Sequence, residues 1–250
     1  MPKFDILGVQ VSAINIEEGC FLIDSFIVHK TKTYVCVAPV STIVECQNNP
    51  KYKEVINQAG IVTPDGIPVV WLGRSAGYSN VRRTYGPDLM LAVCDKGQEK
   101  GYRHFLYGAT PKTLELLEEN LKKKFPAINI VGKYAPPFRQ EIFEEYDILN
   151  RINNSGADLL WVAIGAPKQD FWMYKYRSEL NVPVMLGVGA AFDFIAGTKP
   201  QAPLWMQRSG LEWFFRLCCE PKRLWKRYLL GNTQFVYLLS KDLFRKTCRQ

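Results

Sequence analysis

Short runs of β-branched and aromatic residues alternate along this chain with longer stretches in which apolar positions recur every three to four residues. FDILGVQVS (residues 4–12) predicts a strand, and NIEEGCFLIDSFIVHK (15–30) a helix with Asn15 as its N-cap. YVCVAP (34–39) predicts a strand, followed by a helical stretch to about Ala59 and a short strand, IVTP (61–64). GIPVVWLGRSAG (66–77) and PDLMLAVCDKGQEKG (87–101) predict helices, the second stopped at Gly101. YRHFLYG (102–108) predicts a strand. TPKTLELLEENLKKKF (110–125) is the clearest helix, with Thr110 as N-cap and Pro111 at its first position. INIVGKY (128–134), ADLLWVAIG (157–165) and VPVMLGVG (182–189) predict strands, separated by helices over 140–156 and 167–180.

This βα alternation predicts an α/β fold, a parallel sheet with helices on both faces. After Ala196 the strand pattern stops and the rest reads as helical or irregular. The chain thus divides into an α/β core, 1–200, and a helical appendage, 201–250. In such sheets ligands bind where strand ends lead into helices. That rule selects the loops Ala38–Thr42, Thr63–Gly66, Gly108–Pro111, Pro136–Arg139, Gly165–Gln169 and Gly187–Ala191.

Charge sharpens the division. The 250 residues carry a net +8. Residues 201–250 hold 10 Lys/Arg against 3 Asp/Glu, a net of +7, and so nearly all of the excess. Three of the six tryptophans lie there as well. Lys222/Lys226 and Arg223/Arg227 recur at i,i+4 and predict a basic helical face, with Leu224, Trp225, Tyr228 and Leu229 as apolar and interfacial partners. Such a helix suits an anionic membrane surface; a solvated docked helix or a nucleic-acid contact are the other readings. A mean hydropathy of −0.12 and the absence of an 18-residue apolar run argue against membrane spans. The N-terminus lacks a charged leader with an apolar run, which predicts cytoplasmic sequence. Seven cysteines without a C-x-x-C predict reduced, mostly buried thiols. Only His29 and His104 occur, which disfavours zinc and a Ser-His-Asp triad; His104, in a strand, reads as a packed histidine.

The chemistry falls on a few loops. Asp65, in Thr63-Pro64-Asp65-Gly66, would project from a strand end, where a carboxylate can take a proton from an attacking hydroxyl; it also fits a turn or N-cap role. Arg82 and Arg83 precede a helix and could fork onto phosphate oxygens, or simply decorate the surface. Gly165, Lys168 and Gln169 follow the most apolar strand and could hold a pyrophosphate, base or sugar; a capped βα turn is the plain alternative. Gly187 and Gly189 resemble a dinucleotide fingerprint that ends in Phe192, but lie far from the first βαβ unit; Asp193 follows them.

Taken in order, T-P-D-G, R-x-Y-G-P-D-L, G-x-P-K-Q-(D/E), G-V-G-A-A-F-D-x-x-A-G, (R/Q)-A-P-x-W and G-L-E-W-x-x-R-L-x-x-E-P-x-R resemble the WecG/TagA/CpsF family of bacterial glycosyltransferases (glycosyltransferase family 26), from about Val9 to Leu230. The resemblance implies a Rossmann-like core and an inverting, metal-independent transfer from a UDP-sugar to a polyprenyl-diphosphate-linked saccharide at the inner face of the membrane, in surface polysaccharide synthesis. It implies no cofactor, with Asp65 as general base. Arg83 and Gln169 fall in the pocket, with Thr42, Gly66, Gly165, Lys168, Gly187, Gly189 and Asp193 beside the substrate. Arg216 and Arg223, with Lys226 and Arg227, are implied to steady the diphosphate and meet the membrane. Nucleic acid is not an expected partner; a homo-oligomer is left open. Three positions depart from the family pattern: Pro39 stands where an Asn is common, with Ser41 and Thr42 as potential substitutes, Asp170 replaces Glu, and Gln201 replaces Arg. A nucleotide-dependent oxidoreductase, drawing on Gly187 and Gly189, and a basic nucleic-acid-binding module are the competing readings.

Overall fold

The computed structural model describes residues 1–137 and 146–247. The part of the Pro136–Arg139 loop from residue 138 and the start of the helix expected over 140–156 lie outside the described residues.

The N-terminal strand expected over residues 4–12 is instead a hairpin. Strands β1 (Lys3–Ile6) and β2 (Val9–Ser12) pair antiparallel in a separate two-stranded sheet. Leu7 and Gly8 make the turn, both at positive φ. Such a two-residue turn matches the twist of the flanking strands. Helix α1 (Ile16–Val28) follows, closed by a capping box between Asn15 and Glu18. Strand β3 (Thr33–Ala38) leads to α2 (Val40–Asn48) and α3 (Pro50–Asn57) rather than one helix. Pro50 forces the break, and Asn49 caps the new start by accepting from the Tyr52 amide at 3.1 Å.

Next come β4 (Ile61–Pro64), α4 (Ile67–Ser75) and α5 (Gly86–Lys100), which ends on Gly101 at φ 65°. Then follow β5 (Arg103–Gly108), α6 (Pro111–Lys124), β6 (Asn129–Tyr134), α7 (Tyr146–Ser155), β7 (Leu159–Ala163), α8 (Lys168–Tyr176), β8 (Val184–Gly187) and α9 (Ala191–Ala196). Thr110 caps α6 as its sequence predicts, accepting from the Thr113 amide at 3.2 Å.

The six strands β3 to β8 form one all-parallel sheet in the order β4-β3-β8-β7-β5-β6. Alternate residues of each strand feed two cores. Tyr34, Phe105, Leu160 and Met185 face α2, α3, α7 and α8. Val35, Leu106, Trp161 and Leu186 face α1, α5, α6 and α9. The expected parallel sheet with helices on both faces is present. Its order differs from the usual dinucleotide-binding one, in which the first sheet strand is central and flanked by the second and fourth. His104 is packed as expected: its Nδ1 accepts from Trp161 Nε1 at 3.0 Å, and burial lowers its pKa to about 4. The described cysteines are all free, four buried and two (Cys218 and Cys219) exposed.

Beyond residue 200 the described chain is helical: α10 (Leu204–Arg208), α11 (Glu212–Cys219), α12 (Pro221–Trp225), a π-helical turn over Lys226–Leu230, and α13 (Gly231–Thr247). These helices close over the carboxyl ends of β3 and β4. Phe235 of α13 joins the core under α2, and Gln234 donates to Asn48 at 2.8 Å. Among the described residues no helix is long and apolar enough to cross a membrane.

Candidate active site

Strands β3 and β8 are neighbours, yet their loops leave toward opposite faces of the sheet, β3 into α2 and β8 into α9. A crevice opens at such a point. Asp65 directly follows β4, and Gly66, at φ 87°, turns the chain into α4. The Thr84 amide donates to the Pro64 carbonyl at 2.9 Å, which fixes the segment carrying Arg83 against the same strand end.

Arg83 is the hub. Its Nε lies 3.4 Å from Asp65 Oδ1, and its guanidinium stacks 3.9 Å over the Tyr85 ring. Its Nη2 bonds to Glu212 of α11. Its Nη1 reaches Gln207 Oε1 at 3.5 Å, while Gln207 Nε2 donates to the Ala202 carbonyl at 2.7 Å. Two carboxylates thus divide one cation, in a setting where the Asp65 side chain is only 13% exposed. Burial pushes the Asp65 pKa up to about 6; Glu212 adds to the rise, while Arg83 and Arg216 oppose it. A carboxylate in that range is ionised at neutral pH and still basic enough to accept a proton.

Two cavities meet at this carboxylate. One, of about 250 Å³, is polar. Thr42, Gly165, Gln169, Gly187, Gly189 and Asp193 line it, together with Arg216, Arg223 and Arg227 from the C-terminal helices. Gly187 is required by close approach: a Cβ there would lie 2.7 Å from Met173 Cε and 2.9 Å from Gln169 Nε2. Gln169 is buried, and its Oε1 has no hydrogen-bond partner among the described residues, which leaves an acceptor for a hydroxyl or imide group. Asp170 beneath it accepts from Tyr52 at 2.6 Å, and burial pushes its pKa up to about 6. The shorter Asp170 is therefore seated by Tyr52 of α3. Asp193 binds Thr198 Oγ1 at 3.1 Å and Lys199 Nζ at 3.0 Å while lining the cavity.

The basic helical face of the sequence divides in two. Arg227 turns inward and donates to Ser41 Oγ at 2.9 and 2.7 Å; burial lowers its pKa. Arg223 stays at the rim, paired with Glu220 at 2.5 Å. Arg216 stands 5.5 Å over the Phe194 ring. Lys222 and Lys226 face outward, and Lys226 sits by the Trp225 ring over a separate groove. Lys168 starts α8 but is not among the residues lining the polar cavity, and Gly66 lines the second cavity instead.

That second cavity, of about 450 Å³, is predominantly apolar. It lies between α4 and α13, with Trp71 on one wall, Phe235 on the other, and Trp213 nearby. Pro39, Asp65 and Arg216 line both cavities. Sequence reasoning missed Glu212, Gln207 and Tyr85 as members of this site. Glu212 had one signal: it is an acidic residue inside the G-L-E-W motif of an otherwise basic stretch. Gln201, at the position of a family arginine, is exposed. Among the described residues no group of three His, Cys, Asp or Glu side chains could hold a metal.

The description of the WecG/TagA/CpsF glycosyl transferase family matches residues 4–249. An N-acetylglucosaminyldiphosphoundecaprenol N-acetyl-β-D-mannosaminyltransferase of Bacillus spizizenii (strain ATCC 23059 / NRRL B-14472 / W23) is 33% identical over 213 residues, covering 82% of this chain and 81% of the relative. The protein of the same name in Bacillus subtilis (strain 168) is 31% identical over 196 residues, covering 78% and 75% respectively. The chain belongs to the WecG/TagA/CpsF family of glycosyltransferases.

Proposed function

We propose that this family member is an inverting glycosyltransferase that needs no metal and moves a sugar from a UDP-sugar to a polyprenyl-diphosphate-linked saccharide at the inner face of a bacterial membrane. The observation that carries the reading is the place of Asp65, on the wall between a polar and an apolar cavity. In this reading the donor nucleotide-sugar takes the first, with its arginines, and the acceptor takes the second.

In this reading Asp65 accepts the proton of the acceptor hydroxyl as its oxygen attacks the anomeric carbon. The new C–O bond forms on the face opposite the departing UDP, whose C–O bond breaks with its electron pair going to the β-phosphate. Inversion follows from that geometry. The leaving diphosphate needs compensating charge, which Arg216, Arg223 and Arg227 supply from one side. The free Oε1 of Gln169 takes a donor N–H or O–H. The names of the Bacillus relatives make UDP-N-acetylhexosamines the first donors to test and an N-acetylglucosaminyl-diphosphate lipid the first acceptor. Residues 1–200 would act as the core and 201–250 as an appendage that completes the site and rests on anionic lipid.

Asp65→Asn tests the reading. Turnover should fall by about 10²- to 10⁴-fold, the usual worth of a general base, with unchanged circular dichroism and UDP affinity. Near-normal turnover in a folded variant would refute the base assignment. Transfer that vanishes with EDTA would refute metal independence.

A further inference from the structure

The apolar cavity has two walls of different origin. Ile67, Trp71 and Leu72 come from α4, and Phe235, Val236 and Leu239 from α13. Its charged lining is gathered at the end where Asp65, Arg83, Glu212 and Arg216 meet, with Gln207 beside them; Ser41 and Asn232 add polar atoms, and the rest of the α4 and α13 walls is mostly hydrocarbon. An amphiphile with a polar head and an apolar stem matches that division. A free nucleotide or soluble sugar would leave the walls unused.

The mouth points the same way. Trp71 is 63% exposed and Val236 65%, although both line the cavity. Large apolar side chains held open on either side of a cleft gain nothing from the fold itself. On α13 the positions Val236, Leu239 and Leu243 recur at i, i+3 and i+7, so one apolar stripe leads from the cavity along the helix to Leu243, itself exposed. A volume of about 450 Å³ suits the head and first part of a long chain, the remainder leaving along that stripe.

We infer that the cleft between α4 and α13 binds the isoprenoid stem of the acceptor next to its diphosphate, so that the enzyme recognises the lipid itself and not only the sugar it carries. The inference rests on the acceptor class proposed above. The stem is held by Trp71, Val236 and Leu239, and it orients the saccharide toward Asp65. Recognition then occurs within the protein and does not require a bilayer.

The test uses soluble acceptors in detergent-free buffer. Two carry the same N-acetylglucosaminyl diphosphate head, one on a ten-carbon prenyl chain and one on an ethyl group. The wild-type protein should show a KM at least tenfold lower for the prenyl acceptor. Trp71→Ser and Val236→Ser, at exposed positions the fold does not need, should each erase most of that difference. Phe21→Ser, an exposed apolar residue of α1 far from the cleft, should keep it. A diazirine-bearing prenyl diphosphate should label peptides of α4 and α13 on irradiation, a readout independent of turnover. Equal KM values for both acceptors in the wild-type protein, or labelling confined to other elements, would overturn the inference while leaving transfer intact. Transfer to neither acceptor with any UDP-sugar, and no labelling, would overturn the proposed function as well.

Discussion

Asp65 at the end of β4 and Glu212 of α11 both bind one guanidinium, that of Arg83, Asp65 at its Nε and Glu212 at its Nη2. The carboxylate nearest the proposed chemistry is therefore never fully neutralised, because its cation is shared with a residue of the C-terminal helices. That sharing, added to burial, keeps Asp65 basic.

Removing the competitor should make Asp65 a weaker base. In Glu212→Gln, Arg83 is left to Asp65 alone and the Asp65 pKa drops. In the wild-type protein the rate should rise with pH through about 6 as Asp65 ionises, then level off. In the variant that limb should move down by about one unit, the usual worth of one nearby charge, with a lower plateau. The measurement is kcat/KM across pH 4.5–8; an unmoved limb would show that Glu212 does not act on Asp65.

The C-terminal arginines should differ in what they give to nucleotide binding. Arg227 is largely buried and, among the described residues, donates to a serine hydroxyl; Arg216 has an aromatic face, and Arg223 is already paired with Glu220. Charge-assisted bonds to a diphosphate are worth about 1.5–3 kcal/mol each. Arg227→Ala and Arg216→Ala should thus weaken UDP binding by roughly 10- to 100-fold by calorimetry. Arg223→Ala should cost clearly less. Equal losses at all three would contradict this ranking.

Beneath the polar cavity, Asp170 ties stability to pH. Burial raises its pKa to about 6, so the folded state binds more protons than the unfolded state between about 4 and 6. Its contribution to stability is present at low pH and declines as pH rises through that window. Asp170→Asn keeps an acceptor for Tyr52 without the charge. Thermal melts should show the variant gaining on the wild-type protein from pH 4 to 7. Tyr52→Phe removes the donor instead and should cost about 1–3 kcal/mol, most at neutral pH.

Gly187→Ala tests the close approach at the end of β8. The added methyl meets Met173 Cε and the Gln169 amide, so the glutamine must move. Loss of UDP affinity should exceed loss of thermal stability. A variant with normal affinity would mean that Gln169 does not touch the nucleotide.

The outward lysines can be separated from the inward arginines. Lys222→Glu with Lys226→Glu reverses two exposed charges outside the cavities. At about 1 kcal/mol per basic residue near an anionic surface, binding to phosphatidylglycerol vesicles should drop by more than tenfold, with turnover on soluble acceptor retained. Undiminished vesicle binding would remove the membrane role from this face.

Much of this was legible in the sequence, for reasons that also explain the exceptions. Fully buried parallel strands read as dense apolar runs, and the helix caps at Asn15 and Thr110 carry explicit side-chain signals. The strand-end rule then selected Asp65, Gly165, Gln169 and Gly187, which the fold brings to one cavity. The hairpin escaped because Leu7-Gly8 lacks the usual Asn-Gly signature, and apolar alternation runs through the turn. The break at Asn49-Pro50 was readable from pre-proline sterics. The division of the tail's basic face into cavity-lining arginines and outward lysines was not, and the G-L-E-W motif marked Glu212 without showing its partner Arg83. Periodicity fixes which residues share a helix face but not what that face meets, and the tail meets residues from the first half of the chain.

The pairing of β3 with β8 has a kinetic consequence. Thr33 lies opposite Val184, so the crevice exists only once a loop of about 150 residues has closed. That closure costs about 4 kcal/mol of chain entropy before any contact across it repays the loss. Local helices and the β1–β2 hairpin need no such closure and form early. During refolding, far-ultraviolet ellipticity should return well ahead of the capacity to bind UDP. The proposed nucleotide site is thus a late event on the folding pathway, and slow folding variants should be recognised by well-formed helices around a cleft that does not yet bind.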